Sequence, residues 1–256
     1  MVEIERRTAD LDGVELSWLE AGPVAGAPTL LLHGFASSAE VNWRLTGWID
    51  LLAASGRRVV AVDHRGHGQS QKFYDPTQYG PDIFASDAVA LLDHLGIDRA
   101  DVIGYSMGAR ITLWMSAHHG ERVRRAAICG MGEHMFGGRG NNEAIARALE
   151  TTNPEAIESE TASTFRRFAE RTGGDLRALA ACIRPSRTRI TPNDARAVAV
   201  PTLVAVGTAD EVAGDPRPLA DLIPDAAIFR AEDRDHMKAT GAPEIKRAVL
   251  DFLDRS

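Results

Sequence analysis

Ser106 lies at the centre of a Gly-x-Ser-x-Gly pattern at residues 104–108, whose residue types suit nucleophilic chemistry. A serine hydroxyl attacks well only when it is lifted clear of the backbone and hydrogen-bonded to a base. The apolar run Val102-Ile103 before the pattern and the helical pattern after it predict a strand, a tight turn and a helix. The pattern also occurs in ordinary glycine-rich loops, so this context is what favours a nucleophile.

The neighbours of Ser106 fit the same turn. A Cβ atom at Gly104 or Gly108 would collide with a neighbouring strand or helix, which explains the glycines. The amide of Met107 falls in the first helical turn, where it has no intrahelical acceptor and can face a developing oxyanion.

A nucleophilic serine needs a base, and the base needs an acid to orient it. Of the eight histidines, His236 fits best, because it lies after the last predicted strand and before the final predicted helix. Asp210 directly follows a buried strand, so its carboxylate can reach the sheet edge where Ser106 lies. Asp235 is adjacent to His236 in sequence, so its side chain should point away from the ring. The chain order of serine, aspartate and histidine is the expected one.

Strands and helices must alternate to bring these residues to one edge. A hairpin is predicted from Val2 to about Glu20, and alternation continues to about residue 130 and resumes near 201. This predicts an α/β core at 1–130 and 197–256, with a helical insertion at 131–196. Strands are expected near residues 29–32, 58–62, 102–103, 125–129, 201–206 and 226–231, and helices near 43–54, 81–95, 107–119, 142–149, 155–171, 176–183 and 243–253.

Composition narrows the classes of partner. The chain has 256 residues, 44% of them apolar, and a formal charge of −7. An acidic protein is a poor partner for nucleic acid or an anionic membrane, so we expect a small-molecule substrate. Cys129 and Cys182 do not form a metal-ligand spacing and are expected to be free thiols. The N-terminal residues lack an apolar signal segment, which favours a cytoplasmic protein.

The ordered motifs resemble those of the α/β-hydrolase fold superfamily over nearly the whole chain. The matching segments are His33-Gly34-Phe35, Asp63-x-Arg65-Gly66-x-Gly68-x-Ser70, Gly104-x-Ser106-x-Gly108, Gly207-x-x-Asp210 and the late His236.

The resemblance implies a mostly parallel twisted sheet flanked by helices, with a small helical cap at 131–196 that matches the family's insertion only in position. It also implies a Ser106, Asp210, His236 triad and an oxyanion hole formed by the amides of Phe35 and Met107. Glu133 is the alternative acid, because some relatives place the acid just after the strand that is predicted to end near Gly130. The family commonly has glycine where this chain has Asp235.

The cap roofs the site in this superfamily, so several residues are candidates for substrate contact: Trp43, Tyr105, His134, Phe136, Phe165 and Phe168. Packing is the favoured explanation for Trp43, and packing between cap and core is the alternative for the phenylalanines. Arg139 and the pair Arg166-Arg167 could bind an anion, although a solvated arginine face is favoured. His64 and His67 beside Asp63 could suggest a metal site, but this loop is structural in the family. A serine triad needs no metal, and no cofactor is expected.

These residues predict a serine hydrolase that cleaves a small carboxylic ester through an acyl-enzyme intermediate. A lactonase or a hydrolase of a carbon–carbon bond beside a ketone is the alternative, since similar proteins use the same triad. A receptor-like binding protein with slow turnover is the second alternative. No motif in the sequence specifies the acyl group or the oligomeric state.

Overall fold

A mixed sheet forms the centre of the structure, a computed structural model that describes residues 2–137, 142–184 and 188–255. The strand order within these ranges is β1-β2-β4-β3-β5-β6-β7-β8. The first two strands are antiparallel to their neighbours, and all other neighbouring strands are parallel. The predicted hairpin therefore lies at one edge of a mostly parallel sheet. The strands are β1 (Ile4–Leu11), β2 (Val14–Ala21), β3 (Ala27–Leu32), β4 (Arg57–Asp63), β5 (Ala100–Tyr105), β6 (Val123–Cys129), β7 (Thr202–Gly207) and β8 (Ala226–Ala231).

Helices cover both faces of this sheet. One face packs against α2 and α3, and the other packs against α1 and α10. The central strands are buried on both sides, which is why β3 reads as a continuous apolar run rather than an alternating one. The helices are α1 (Trp48–Ala54), α2 (Pro81–His94), α3 (Met107–His118), α4 (Asn142–Glu150), α5 (Glu160–Arg171), α6 (Leu176–Ile183), α7 (Pro192–Ala197), α8 (Arg217–Ala220), α9 (His236–Thr240) and α10 (Pro243–Leu253).

Two predicted helices differ from the structure at their amino-terminal ends. The helix expected at 43–54 is divided into a π-helical turn, Glu40–Arg44, and α1. Gly47 separates them with φ 77°, a left-handed conformation that breaks the helical path. The helix expected at 155–171 begins at Glu160, because the Ser159 hydroxyl accepts the Ala162 amide and caps it there. The short helices α7, α8 and α9 were not predicted, since they contain too few residues to show a period.

The segment between β6 and β7 contributes a separate apolar cluster. Residues of α4, α5 and α6 pack together with Phe35 and Ala36, which follow β3. The later helix α7 differs, because Ala195 packs into the core cluster on the α3 side of the sheet. The domain boundaries at 131 and 196 stay a prediction. In the described ranges, no helix is both long and apolar enough to cross a membrane.

Candidate active site

Ser106 occupies a strained turn between β5 and α3. Its φ is 55° and its ψ is −107°, an uncommon conformation for a residue with a side chain. A Cβ atom at Gly104 would lie 2.1 Å from the Gly108 carbonyl oxygen, and one at Gly108 would lie 1.8 Å from that of Leu32. Both glycines are therefore required by close backbone approach, and the predicted strand, turn and helix are confirmed.

The side chains of Ser106, His236 and Asp210 meet at the carboxyl edge of the sheet. Nε2 of His236 lies 3.0 Å from the serine Oγ, and Nδ1 lies 3.0 and 2.8 Å from the two aspartate oxygens. Because a carboxylate only accepts hydrogen bonds, Nδ1 carries the ring proton and donates it to Asp210. Nε2 is then free to accept from the serine hydroxyl.

The Asp210 carboxylate is held by the chain that follows it. Its Oδ1 accepts the amides of Val212 and Ala213 at 3.0 and 2.9 Å, and the side chain is fully buried. Glu133 lies elsewhere: its carboxylate is 46% exposed and lies 3.7 Å from Nε2 of His134. Of the two acids that the sequence left open, Asp210 is the one that contacts His236.

Asp235 holds the start of the helix that carries the histidine. Its Oδ1 accepts the amides of Met237 and Lys238 at 3.1 and 2.8 Å, so the carboxylate caps α9 and faces away from the imidazole, as expected. The hydrogen bond from the Lys238 amide, aided by its ammonium group, lowers the pKa of Asp235 below its usual value.

The loop after β3 brings Gly34 beside the end of β5, since a Cβ atom there would lie 3.4 Å from the Tyr105 carbonyl oxygen. The Gly34 amide donates to Oδ1 of Asn42 at 3.0 Å, and the Thr172 hydroxyl lies 3.0 Å from the Ala36 carbonyl oxygen. Within the described ranges, no backbone oxygen accepts a hydrogen bond from the amides of Phe35 or Met107. Their part in an oxyanion hole remains a prediction. Asn42 was not singled out in the sequence, although a polar residue beside an apolar helical pattern was a usable signal.

Three further histidines lie at the same sheet edge and are fully buried. The rings of His64 and His67 lie 4.4 and 5.1 Å from that of His33, whose Nε2 accepts the His64 amide. Burial lowers the pKa of His33 to about 4 and that of His67 to about 3. Nε2 of both His64 and His67 has no hydrogen-bond partner among the described residues. No metal-binding group of three or more His, Cys, Asp or Glu residues is present in the described ranges.

Two of the residues proposed to touch substrate are in the wrong place for it. Trp43 is fully buried and packs edge-on against Trp48, with ring centroids 5.6 Å apart. Tyr105 is buried beneath the histidine, and its hydroxyl donates to the His236 backbone. Both predictions are corrected, because apolar packing and a buried main-chain acceptor took these side chains inward.

The remaining substrate candidates stay predictions. His134 is half-buried beside the loop that follows Asp210, and its Nδ1 lies 3.1 Å from the Val212 carbonyl oxygen. Phe136 packs partly on the core cluster, whereas Phe165 and Phe168 pack partly into the separate apolar cluster of α4, α5 and α6. The Phe165 ring lies 5.7 Å from that of Phe35.

The arginine pair in α5 is not uniformly solvated. Arg167 is exposed, but Arg166 is 9% exposed and donates to the carbonyl oxygens of Ala148, Leu149 and Thr151. It caps the carboxyl end of α4, where free carbonyl groups favour a cation. The expected solvated face is therefore wrong for Arg166, while Arg139 lies outside the described residues.

Comparison with known proteins agrees with this geometry. Residues 28–169, more than half of the chain, match the family described as the alpha/beta hydrolase fold. The chain belongs to this family. One relative is a dihydrolipoyllysine-residue acetyltransferase component of an acetoin cleaving system, from Pseudomonas putida. It is 30% identical over an alignment of 264 residues, which covers 96% of this chain and 68% of that protein.

Two further comparisons cover different shares of the chain. A 2-hydroxymuconate semialdehyde hydrolase of Pseudomonas sp. (strain CF600) is 42% identical over 108 residues, which span 41% of this chain but only 37% of that relative. The crystal structure of the enol-lactonase from Burkholderia xenovorans LB400 superposes with a TM-score of 0.80 at 22% identity, covering 97% of this chain and all of that one. That likeness shows the shared fold.

Proposed function

We propose that this chain is a serine hydrolase that cleaves a small carboxylic ester through an acyl-enzyme intermediate. The observation that carries the proposal is the 3.0 Å separation between Oγ of Ser106 and Nε2 of His236, with the other ring nitrogen hydrogen-bonded to Asp210. A hydroxyl, an imidazole and a carboxylate in this order form the arrangement that activates a serine.

In the acylation step, Ser106 Oγ attacks the ester carbonyl carbon while its proton moves to Nε2 of His236. The tetrahedral intermediate collapses by breaking the bond to the alkoxy oxygen, and His236 returns the proton to the departing alcohol. Asp210 keeps the imidazole in the tautomer that can accept this proton, and it stabilises the imidazolium. The products of this step are an alcohol and an ester of Ser106.

Water completes the cycle by the same route. His236 takes a proton from the water as its oxygen attacks the acyl carbon, and the proton then returns to Ser106 Oγ as the carboxylic acid leaves. The amides of Phe35 and Met107 are proposed to donate to the oxyanion in both steps. A single donor of this kind contributes about 3 kcal/mol to the stability of the transition state.

A lactone or a carbon–carbon bond beside a ketone is the second candidate substrate. It is supported by the similarity to the 2-hydroxymuconate semialdehyde hydrolase and to the enol-lactonase. The same hydroxyl, imidazole and amides would serve either substrate, so the triad does not discriminate among them. The acyl specificity is proposed to depend on residues of the predicted cap, of which Phe165 and His134 are candidates.

The test compares the wild-type protein with Ser106→Ala. We expect the wild type to hydrolyse p-nitrophenyl acetate and to be labelled by an organophosphonate probe, and the folded variant to lose both. Faster turnover of a lactone or of a substrate with a scissile carbon–carbon bond beside a ketone would favour the second candidate. A folded wild-type protein without labelling or turnover would favour a receptor-like binding protein and overturn the proposal.

A further inference from the structure

Tyr105 precedes the serine, and its side chain contacts the histidine at two points. It is 4% exposed, and its hydroxyl donates to the backbone carbonyl oxygen of His236, 131 residues further along the chain. Its ring also packs at a tilt against the imidazole, with 5.3 Å between the ring centroids. One side chain therefore restrains both the ring and the main chain of His236.

The surroundings of Tyr105 leave room for its ring and keep its hydroxyl protonated. Gly130 follows β6 with φ 64°, and a Cβ atom there would lie 2.7 Å from the tyrosine ring, so the glycine leaves the space that the ring fills. Burial raises the pKa of the Tyr105 hydroxyl well above its usual value, and the charge of Asp210 acts in the same direction. The hydroxyl consequently stays protonated and continues to donate.

His236 needs such support because its own segment is weak. It is the first residue of α9, which has only five residues and cannot be stable by itself. The next residue, Met237, is 55% exposed, so the outer side of the segment has little packing. Asp235 caps the helix, and the Thr240 hydroxyl lies 3.4 Å from the same His236 carbonyl oxygen. Ala239 is buried and Nε1 of Trp48 donates to the Thr240 carbonyl oxygen at 2.7 Å, but both act beyond His236 itself. Tyr105 links the His236 main chain directly to β5, the strand that precedes Ser106.

We propose that Tyr105 is a positioning residue, which keeps His236 at hydrogen-bond distance from Ser106 by holding the histidine main chain. This inference rests on the proposed function, since it requires His236 to be the base. A displacement of about 1 Å in a catalytic group can cost about 100-fold in rate. Removing the hydroxyl while retaining the ring contact should cost less, about 10-fold in kcat. KM should not change, because the buried side chain faces the underside of the imidazole.

The experiment compares Tyr105→Phe with a matched variant, Tyr79→Phe. Tyr79 is 2% exposed, and its hydroxyl donates to the Phe73 carbonyl oxygen at 2.6 Å. Each variant loses the hydrogen bond that a tyrosine hydroxyl donates to a main-chain oxygen. Tyr79→Phe also loses the one that its hydroxyl accepts from the Phe73 amide at 3.2 Å, so it should lower the free energy of unfolding at least as much as Tyr105→Phe. Only Tyr105→Phe should lower kcat for p-nitrophenyl acetate and the rate of phosphonate labelling, each by about 10-fold.

A spectroscopic measurement separates positioning from general destabilisation. The proton on Nδ1 of His236, hydrogen-bonded to Asp210, should give a far-downfield proton resonance in the wild type. We expect this resonance to shift or broaden in Tyr105→Phe and to stay unchanged in Tyr79→Phe. Equal kcat in the wild type and both variants would overturn the proposal, and so would a raised KM with unchanged kcat, which would mean direct substrate contact.

Two further outcomes are covered by the same design. If Tyr105→Phe does not fold, Gly130→Ala adds a methyl group 2.7 Å from the Tyr105 ring and so displaces that side chain, and a kcat lowered about 10-fold supports the proposal whereas an unchanged kcat overturns it. A wild-type protein with neither turnover nor labelling would overturn the proposed function, and this inference with it. An active wild type with a fully active Tyr105→Phe would overturn the inference alone.

Discussion

On the nucleophile side of the site, meaning the ends of β3 and β5 with Phe35, Ser106 and Met107, the backbone leaves no room for added atoms. A Cβ atom at Gly108 would lie 1.8 Å from a carbonyl oxygen of β3. On the acid–base side, meaning the loops after β7 and β8, the backbone is equally close at Gly207, where a Cβ atom would lie 1.9 Å from the Arg234 carbonyl oxygen, but polar side chains hold the loops themselves. For example, the Asp210 carboxylate accepts hydrogen bonds from two amides of its own loop.

The difference predicts how each side fails. The nucleophile side should be damaged most by substitutions that add atoms, and the loops of the acid–base side, beyond Gly207, by substitutions that remove a hydrogen-bonding group. The histidines differ as well. The nucleophile side, taken with the neighbouring loop after β4, has the fully buried cluster of His33, His64 and His67, whereas His236 on the acid–base side is hydrogen-bonded to Asp210 and its side chain is 14% exposed.

The largest expected effect is on the acid–base side. Asp210→Asn should lower kcat for the ester by about 10⁴-fold, because an amide in place of the carboxylate favours the wrong imidazole tautomer. Ester kinetics and circular dichroism on the folded variant measure this. Asp215→Asn is the control, since that side chain is in the same loop but 51% exposed and paired with Arg230. Retention of a tenth of the activity by Asp210→Asn would remove Asp210 from the mechanism.

Gly108→Ala tests the nucleophile side by adding one methyl group. The collision with the carbonyl of Leu32 should lower the free energy of unfolding by about 4 kcal/mol or more, measured by urea denaturation. Gly120→Ala is the matched substitution, because a Cβ atom at Gly120 has no neighbour within 4 Å. A Gly108→Ala variant as stable as Gly120→Ala would show that the turn between β5 and α3 can accommodate an added methyl group.

Acid should destabilise the nucleophile side through its buried histidines. Burial lowers the pKa of His33 from 6.5 to about 4, so the unfolded chain takes up this proton first as the pH falls. Each such histidine makes the free energy of unfolding decrease between pH 6.5 and about 4, by up to about 1.4 kcal/mol per pH unit.

His64→Phe should flatten that pH dependence, because the pKa of His64 is also held well below its usual value by burial and by the neighbouring His33. Urea denaturation across this pH range measures the slope, and half-exposed His119→Gln is the control. An identical slope in the wild type and His64→Phe would mean that His64 does not contribute to acid sensitivity.

The smallest effect concerns the cap of α9. Asp235→Ala should lower the free energy of unfolding by about 1 kcal/mol, since the amides of Met237 and Lys238 lose their acceptor. Asp235→Ser should retain most of that stability, because serine also caps helices. Equal losses in the two variants would show that the charge of Asp235, rather than its capping oxygen, stabilises the segment.

The strands of the sheet and the strained turn at Ser106 were predicted well from the sequence, because the residue patterns that indicate them are local. The predicted strand Ala226–Ala231 and helix Pro243–Leu253 agree with β8 and α10 residue by residue. The division of the helix expected at 43–54 was missed, since Gly47 interrupts an apolar pattern that continues on both sides of it. The helix α9 was missed because five residues cannot display a helical period.

The assignment of side chains to surface or interior was less predictable. Trp43 and Tyr105 were candidates for substrate contact, with packing favoured for Trp43, and the structure has one fully buried in the core and the other beneath the imidazole. Arg166 was expected in solvent and instead caps α4. Each outcome depends on a partner distant in sequence, which a local pattern does not contain.

By itself, the sequence determined the alternation of strands and helices, the strained serine turn and the order of the three polar residues, because each depends on steric and burial requirements within a few neighbouring residues. Only the tertiary structure decided that Asp210 rather than Glu133 contacts His236, and that Tyr105 holds the histidine main chain. Those contacts join residues 26 and 131 positions apart. Their geometry depends on how the strands pack and twist together, and no single segment encodes it.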